Sequence, residues 1–150
     1  MRTKEITADE KYHLFTGRIF LFISRVLTQN FKAANLALTK EQWTIMSVLW
    51  RMGAVSQQKI ADETGRDKPS TTRLIDTLEK EGYLSRKPDK QDRRINMIHL
   101  TEKGKRIEAK ATRIVEETFN TLAHNITTDE ILTIRNVFSK IYKHSKPSAS

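Results

Sequence analysis

The chain has 150 residues, 37% hydrophobic and 30% charged, with 27 Lys and Arg against 18 Asp and Glu and a formal net charge of +9. That length suits one domain, and the excess of cations favours an anionic partner such as nucleic acid or a lipid surface, because clustered positive charge raises encounter rate and affinity for phosphates. The absence of cysteine excludes disulfide scaffolds, thiolate zinc sites and cysteine-based redox sensing. No run approaches the roughly 20 apolar residues of a membrane-spanning helix, and the first five residues lead into a patterned helix rather than a signal peptide. The expectation is a soluble, cytoplasmic protein with no cofactor and no membrane partner.

Thr7 and Glu10 form a capping box, and behind it Tyr12, Phe15, Ile19, Phe22, Ile23, Val26 and Leu27 recur at helical steps. Leu14, Phe20 and Leu21 widen that stripe. A long helix that is apolar on two sides has to bury both, which in a small protein calls for a second subunit. Thr39 and Gln42 repeat the box and open a helix with Trp43, Met46, Leu49 and Trp50 on one face, closed by Gly53. Ser56 caps a short helix with Ile60 and Ala61 turned inward, and Gly65 ends it. Pro69 suits the first turn of the next helix, which carries Leu74, Ile75 and Leu78 and stops at Gly82.

The period then changes. Residues 83–87 and 95–100 read as two short strands joined by the polar connection Pro88, Asp89, Lys90, Gln91, Asp92, Arg93, Arg94, a hairpin. Thr101 caps a long helix with Ile107, Ala111, Ile114, Val115, Phe119 and Leu122. Thr127 and Glu130 form a third capping box before a last helix with Ile131, Ile134, Val137, Phe138, Ile141 and Tyr142, and residues 145–150 read as a frayed tail. The predicted fold is mainly α with a small β-hairpin wing: a winged helix-turn-helix over about 39–101, with dimerisation helices about 7–35 and 102–144, all in one domain.

In a helix-turn-helix the first helix braces against the DNA backbone and the second enters the major groove by its N-terminal end, whose free N–H groups also favour phosphate. Here that end reads Arg66, Asp67, Lys68, Pro69, Ser70, Thr71, Thr72, Arg73. The hydroxyls fit between base edges, and Arg73 can hold guanine or a phosphate. Hydroxyls at a helix start also have the plain reading of capping residues. In the hairpin, Arg86, Lys87, Lys90, Arg93 and Arg94 outnumber Asp89 and Asp92, more cations than an edge strand needs, although a solvated charged turn has the same composition. A projecting basic loop can enter the minor groove, with Asp92 as an anchor that holds Arg94 extended.

The run from Gly82 to Ile95, followed by Leu100, Thr101, Glu102, Lys103 and Gly104, resembles the wing and following helix start of the MarR family of transcriptional regulators. Upstream, Gln58, Lys59, Ile60 and Ala61 through Gly65, and Pro69 to Leu74 through Gly82, are similar to its two helix-turn-helix helices. The resemblance covers essentially the whole chain. It implies an obligate homodimer with interlocked terminal helices, on double-stranded DNA at a pseudo-palindromic operator. It further implies that Arg94, held by Asp92, enters the minor groove with Lys90 and Arg93 beside it, that Lys68, Ser70, Thr71, Thr72 and Arg73 read the major groove, and that Gln57, Gln58 and Arg66 lie at the backbone. Members usually repress, and many release DNA when a small aromatic or phenolic anion binds between dimer and winged lobes.

The remaining residues point elsewhere weakly. His13, His99, His124 and His144 are scattered and do not make a metal site. Trp43 and Trp50 suit a core, although Trp43 can also wall a pocket. Arg18 suits either a solvated or interface position or a ligand carboxylate. No nucleotide-binding, nucleophile-elbow or zinc-protease motif is present, so no enzyme is expected. The alternative is a basic helical module that binds RNA or an anionic surface without sequence specificity. The hairpin lacks the aromatic platform that stacks RNA bases.

Overall fold

The computed structural model describes residues 5–145; the first four residues and the tail at 146–150, part of the stretch expected to fray, lie outside them. The chain divides into two compact units, one running to Val115 and one beginning at Glu116. The elements in order are α1 (Ala8–Thr16), α2 (Arg18–Ala33), α3 (Lys40–Met52), β1 (Val55–Ser56), α4 (Gln57–Thr64), α5 (Lys68–Lys80), β2 (Leu84–Pro88), β3 (Asn96–Leu100), α6 (Glu102–Arg106), α7 (Glu108–Leu122) and α8 (Thr128–Ser145). The fold is mainly α with one small antiparallel sheet. Among the described residues no helix is long and apolar enough to cross a membrane.

The helix starts follow the capping chemistry. Thr7 Oγ1 accepts from Glu10 N at 3.2 Å while Thr7 N donates to Glu10 Oε2 at 2.9 Å. The same reciprocal pair joins Thr39 to Gln42 and Thr127 to Glu130. Ser56 accepts from Lys59 N, and Asp67, not a threonine, caps α5 by accepting from Ser70 N at 2.7 Å. Gly65 adopts the left-handed conformation at φ 64°, which ends α4 without side-chain strain.

The first long helix is a correction. The apolar pattern runs unbroken from Tyr12 to Leu27, yet the backbone leaves the helix at Gly17 (φ −75°, ψ −168°), giving α1 and α2. A Cβ at Gly17 would stand 1.9 Å from the carbonyl oxygen of His13, so the break depends on that residue having no side chain. The helix after the wing is likewise interrupted, at Ile107, into α6 and α7.

The sheet has three strands in the order β1-β3-β2, one more than the expected hairpin. Leu84 opposes Leu100 and Arg86 opposes Ile98, while the two residues of β1 pair on the other edge, Val55 with Ile98 and Ser56 with Met97. β1 therefore ties the start of α4 to the wing base. The core of this unit gathers Phe31, Ile45, Met46, Ile60, Ile75, Leu78 and Ile98, each at 0% exposure. The inward face of α3 is centred on Ile45, Met46, Val48 and Leu49, so Trp43 and Trp50 flank the core partly buried rather than filling it. Trp50 donates its indole N–H to the Gly104 carbonyl at 3.0 Å.

Candidate nucleic-acid interface

The α5 helix buries Thr71, Ile75 and Leu78, which are spaced i, i+4, i+7 and so form one stripe. Arg73 is exposed on the opposite side, the half-buried Ser70 and Thr72 flank the stripe, and Lys68 is exposed at the helix start, one turn before Thr71. Thr71 is a correction to the expected reading set. It is fully buried and donates to the Asp67 carbonyl at 2.9 Å, so its hydroxyl serves the helix, not a groove.

The wing tip is a built turn. Asp89 N donates to the Ile95 carbonyl at 2.8 Å, and Ile95 N to that of Asp92 at 3.0 Å. Asp92 then accepts three times from Arg94: from the backbone N at 3.0 Å, from Nε at 3.1 Å and from Nη2 at 3.0 Å. These bonds, the side-chain contacts first, lower the Asp92 pKa and raise that of Arg94. Arg94 nonetheless keeps 91% of its side chain exposed. Its guanidinium is thus oriented and available. Lys90 and Arg93 are exposed beside it.

A concavity of about 330 Å³ joins these elements, lined by Gln57, Gln58, Lys68, Arg94 and Asn96 among others. It brings the wing cation to the N-terminal end of α5 and the start of α4, although Lys68 and Arg94 stand 26 positions apart in the chain. Asn96 was not anticipated there, and nothing in the local pattern of a short strand marks it.

Residues 38–96 match the MarR family model. That match spans the winged helix-turn-helix part of the chain, from the start of α3 to the start of β3. The chain is 26% identical over 115 residues to YybA, an HTH-type transcriptional regulator of Bacillus subtilis, the match covering 77% of each chain. BpsR of Bordetella bronchiseptica, a structure concerned with regulation of that protein's DNA binding by 6-hydroxynicotinic acid, superposes with a TM-score of 0.77 at 20% identity, over 89% of this chain and 98% of that one. A mutant MarR from E. coli, solved with operator DNA, gives 0.74 at 20% identity, over 87% and 96%. At these identities the structures establish a shared fold.

Other expected contacts are engaged inside the protein. Gln57 accepts from Arg86 Nε at 3.4 Å and donates to Thr72 Oγ1 at 2.7 Å, while the exposed Gln58 bonds Asp62 at 2.9 Å. Arg66 is half-buried, with Nη2 3.4 Å from Thr44 Oγ1 of α3. Arg86, one of the five hairpin cations, forms ion pairs with Asp76 at 2.5 Å and Glu79 at 2.9 Å, and only 19% of its side chain is exposed. The signal was available: Asp76 and Glu79 stand three apart on one face of a helix, a short loop away from an arginine.

On the other side of α3, Lys40 Nζ lies 4.1 Å from the centroid of the Phe20 ring. Burial lowers the Lys40 pKa, Glu41 opposes that shift and Arg66 adds to it. Trp43 Nε1, Arg66 Nε and Ser24 Oγ are buried without a hydrogen-bond partner among the described residues. Arg18 is exposed at the start of α2. Among the described residues no three His, Asp or Glu side chains converge as metal ligands.

Proposed function

We propose that the chain is a MarR-type transcriptional regulator, a cytoplasmic homodimer that binds a pseudo-palindromic double-stranded operator and represses transcription until a small aromatic or anionic ligand releases it. One observation carries the DNA reading: the Asp92-held Arg94 and the Lys68 end of α5 line one concavity. In this reading Lys68, Ser70, Thr72 and Arg73 enter the major groove, and Arg94, with Arg93 and Lys90, reaches the adjacent minor groove. Gln58 lies at the backbone. Two copies meet successive major grooves, so the half-sites stand about one helical turn apart. The operator complex of the E. coli MarR relative supports it. Dimerisation is supported by the apolar side chains of α8, such as Ile131 and Ile134 at 48% and 49% exposure.

The ligand reading rests on Trp43 and its surroundings. The buried indole N–H of Trp43, one helical turn from Lys40 on α3, and the buried guanidinium N–H of Arg66, whose charge acts on Lys40, each without a partner among the described residues, suit an anion with a flat apolar body. Arg66 directly precedes Asp67, the cap of α5, so a ligand that engages it acts on the start of the recognition helix. The BpsR relative, whose DNA binding 6-hydroxynicotinic acid regulates, supports this class.

The test is a salt series on duplexes selected by the wild-type protein from a random pool. Arg94→Ala is expected to lose about tenfold in affinity at moderate salt, and a dimer losing one phosphate-seeking cation per subunit shows a log–log slope shallower by roughly 2. Wild-type affinity with an unchanged slope would remove the wing from the interface. Equal binding to a structured RNA would favour the non-specific basic module instead.

A further inference from the structure

Arg86 does more than neutralise charge. Its backbone N–H and Nη1 donate to the two oxygens of Glu79, at 2.8 and 2.9 Å, and its Nη2 donates to Asp76. Its Nε donates to Gln57, and Gln57 donates onward to Thr72, whose own hydroxyl proton goes to the Lys68 carbonyl at 2.9 Å. One guanidinium in β2 thus joins the wing to two carboxylates of α5 and to the first residue of α4. The apolar core holds these elements from the inside through Ile60, Ile75 and Ile98. Apolar contacts are not directional, and they leave the angle of a projecting hairpin loosely set. A planar five-donor fork fixes it.

We infer that Arg86 is a positioning residue for operator recognition: it sets the angle between wing and recognition helix, and through Gln57 it fixes the rotamer of Thr72, without itself touching DNA. The inference rests on the DNA reading above. Arg86 also offsets one of the two negative charges that Asp76 and Glu79 place on the recognition helix, which would otherwise repel phosphate. Lysine keeps the charge there but has no fork to bridge three acceptors in one plane.

Two measurements on Arg86→Lys and Gln57→Ala test it, with thermal unfolding as the check that both variants are folded. Because the chain has no cysteine, spin labels at Gln91→Cys and Thr77→Cys report the wing-to-helix distance without DNA. The wild type is expected to give a narrow distribution and Arg86→Lys a broadened one. Affinity for the selected operator is expected to fall about tenfold in Arg86→Lys and a few-fold in Gln57→Ala, with affinity for a random duplex and both salt slopes unchanged. A shallower slope would make Arg86 a phosphate contact and overturn the inference. An unchanged distance distribution, or an unchanged operator-to-random ratio in folded Arg86→Lys, would also overturn it. If the wild type bound both duplexes equally, the DNA reading itself would fail, an outcome distinct from any distance result.

Discussion

The winged lobe and the terminal helix α8 treat the same kinds of side chain in opposite ways. In the lobe, Ile45, Ile60, Ile75 and Ile98 are at 0% exposure, packed around Phe31 and Met46. In α8, Ile131, Ile134 and Ile141 stand at 48%, 49% and 42%, spaced along one helix. Both segments have clean helical periodicity and a proper N-terminal cap. Periodicity therefore reports that a face will be covered, while the covering partner is decided by tertiary structure. The lobe supplies its own cover, and the proposed homodimer supplies that of α8.

The largest expected effect breaks this contrast at α8. Replacing Ile134 and Ile141 together by Asp should turn a sedimenting dimer into a monomer at micromolar concentration. Operator affinity should then fall by on the order of 100-fold, because two half-sites are no longer engaged at once. A double variant that still sediments as a dimer would place the subunit contact elsewhere. Next in size, Ile75→Ala in the lobe should lower the unfolding free energy by about 2–5 kcal/mol in denaturant titrations, the range for deleting a fully buried aliphatic side chain. An equal loss for Ile131→Ala in the isolated monomer would mean that α8 has a core of its own. Gly104→Ala sharpens the lobe side. An added Cβ would meet the Tyr83 carbonyl at 2.0 Å, so backbone must shift, and a loss of about 1–3 kcal/mol is expected by calorimetry.

The smallest effect concerns the wing tip. The bonds from Arg94 depress the Asp92 pKa below its ordinary 3.8 in the folded protein. The pairing is therefore complete above pH 3.8 and is lost only as pH falls through the depressed value. Carboxyl NMR titration should show Asp92 returning toward 3.8 in Arg94→Ala. A wild-type Asp92 that titrates at its ordinary value would mean the clamp does not persist in solution.

Much of this was legible in the amino-acid order because capping and turn chemistry are local. Thr7, Thr39 and Thr127 announce their helices through residues three positions away, and Gly65 ends α4 through its own backbone freedom. Asp92 and Arg94 are two apart and find each other within a single turn. What escaped depends on neighbours far along the chain. β1 has two residues, too few for alternation, and exists because Ile98 and Met97 present an edge to it. The break at Gly17 is invisible to an apolar stripe that continues through it. Thr71 was read as a groove contact from its place near the helix start, although its i, i+4, i+7 relation to Ile75 and Leu78 already put it on the buried side. Arg86 and Arg94 are the same residue in one hairpin, and only the carboxylates of α5 make one a strut and the other a free tip.

The central claim is that the wing and the start of α5 act on the same stretch of duplex. The cysteine-free chain allows it to be tested directly by attaching a DNA-cleaving iron chelate at Arg94→Cys and, separately, at Ser70→Cys. Cleavage from position 94 should fall in the minor groove flanking the bases cut from position 70, in mirror-related pairs across the operator. Cuts from position 70 without any from position 94, in a variant that still binds, would contradict the account.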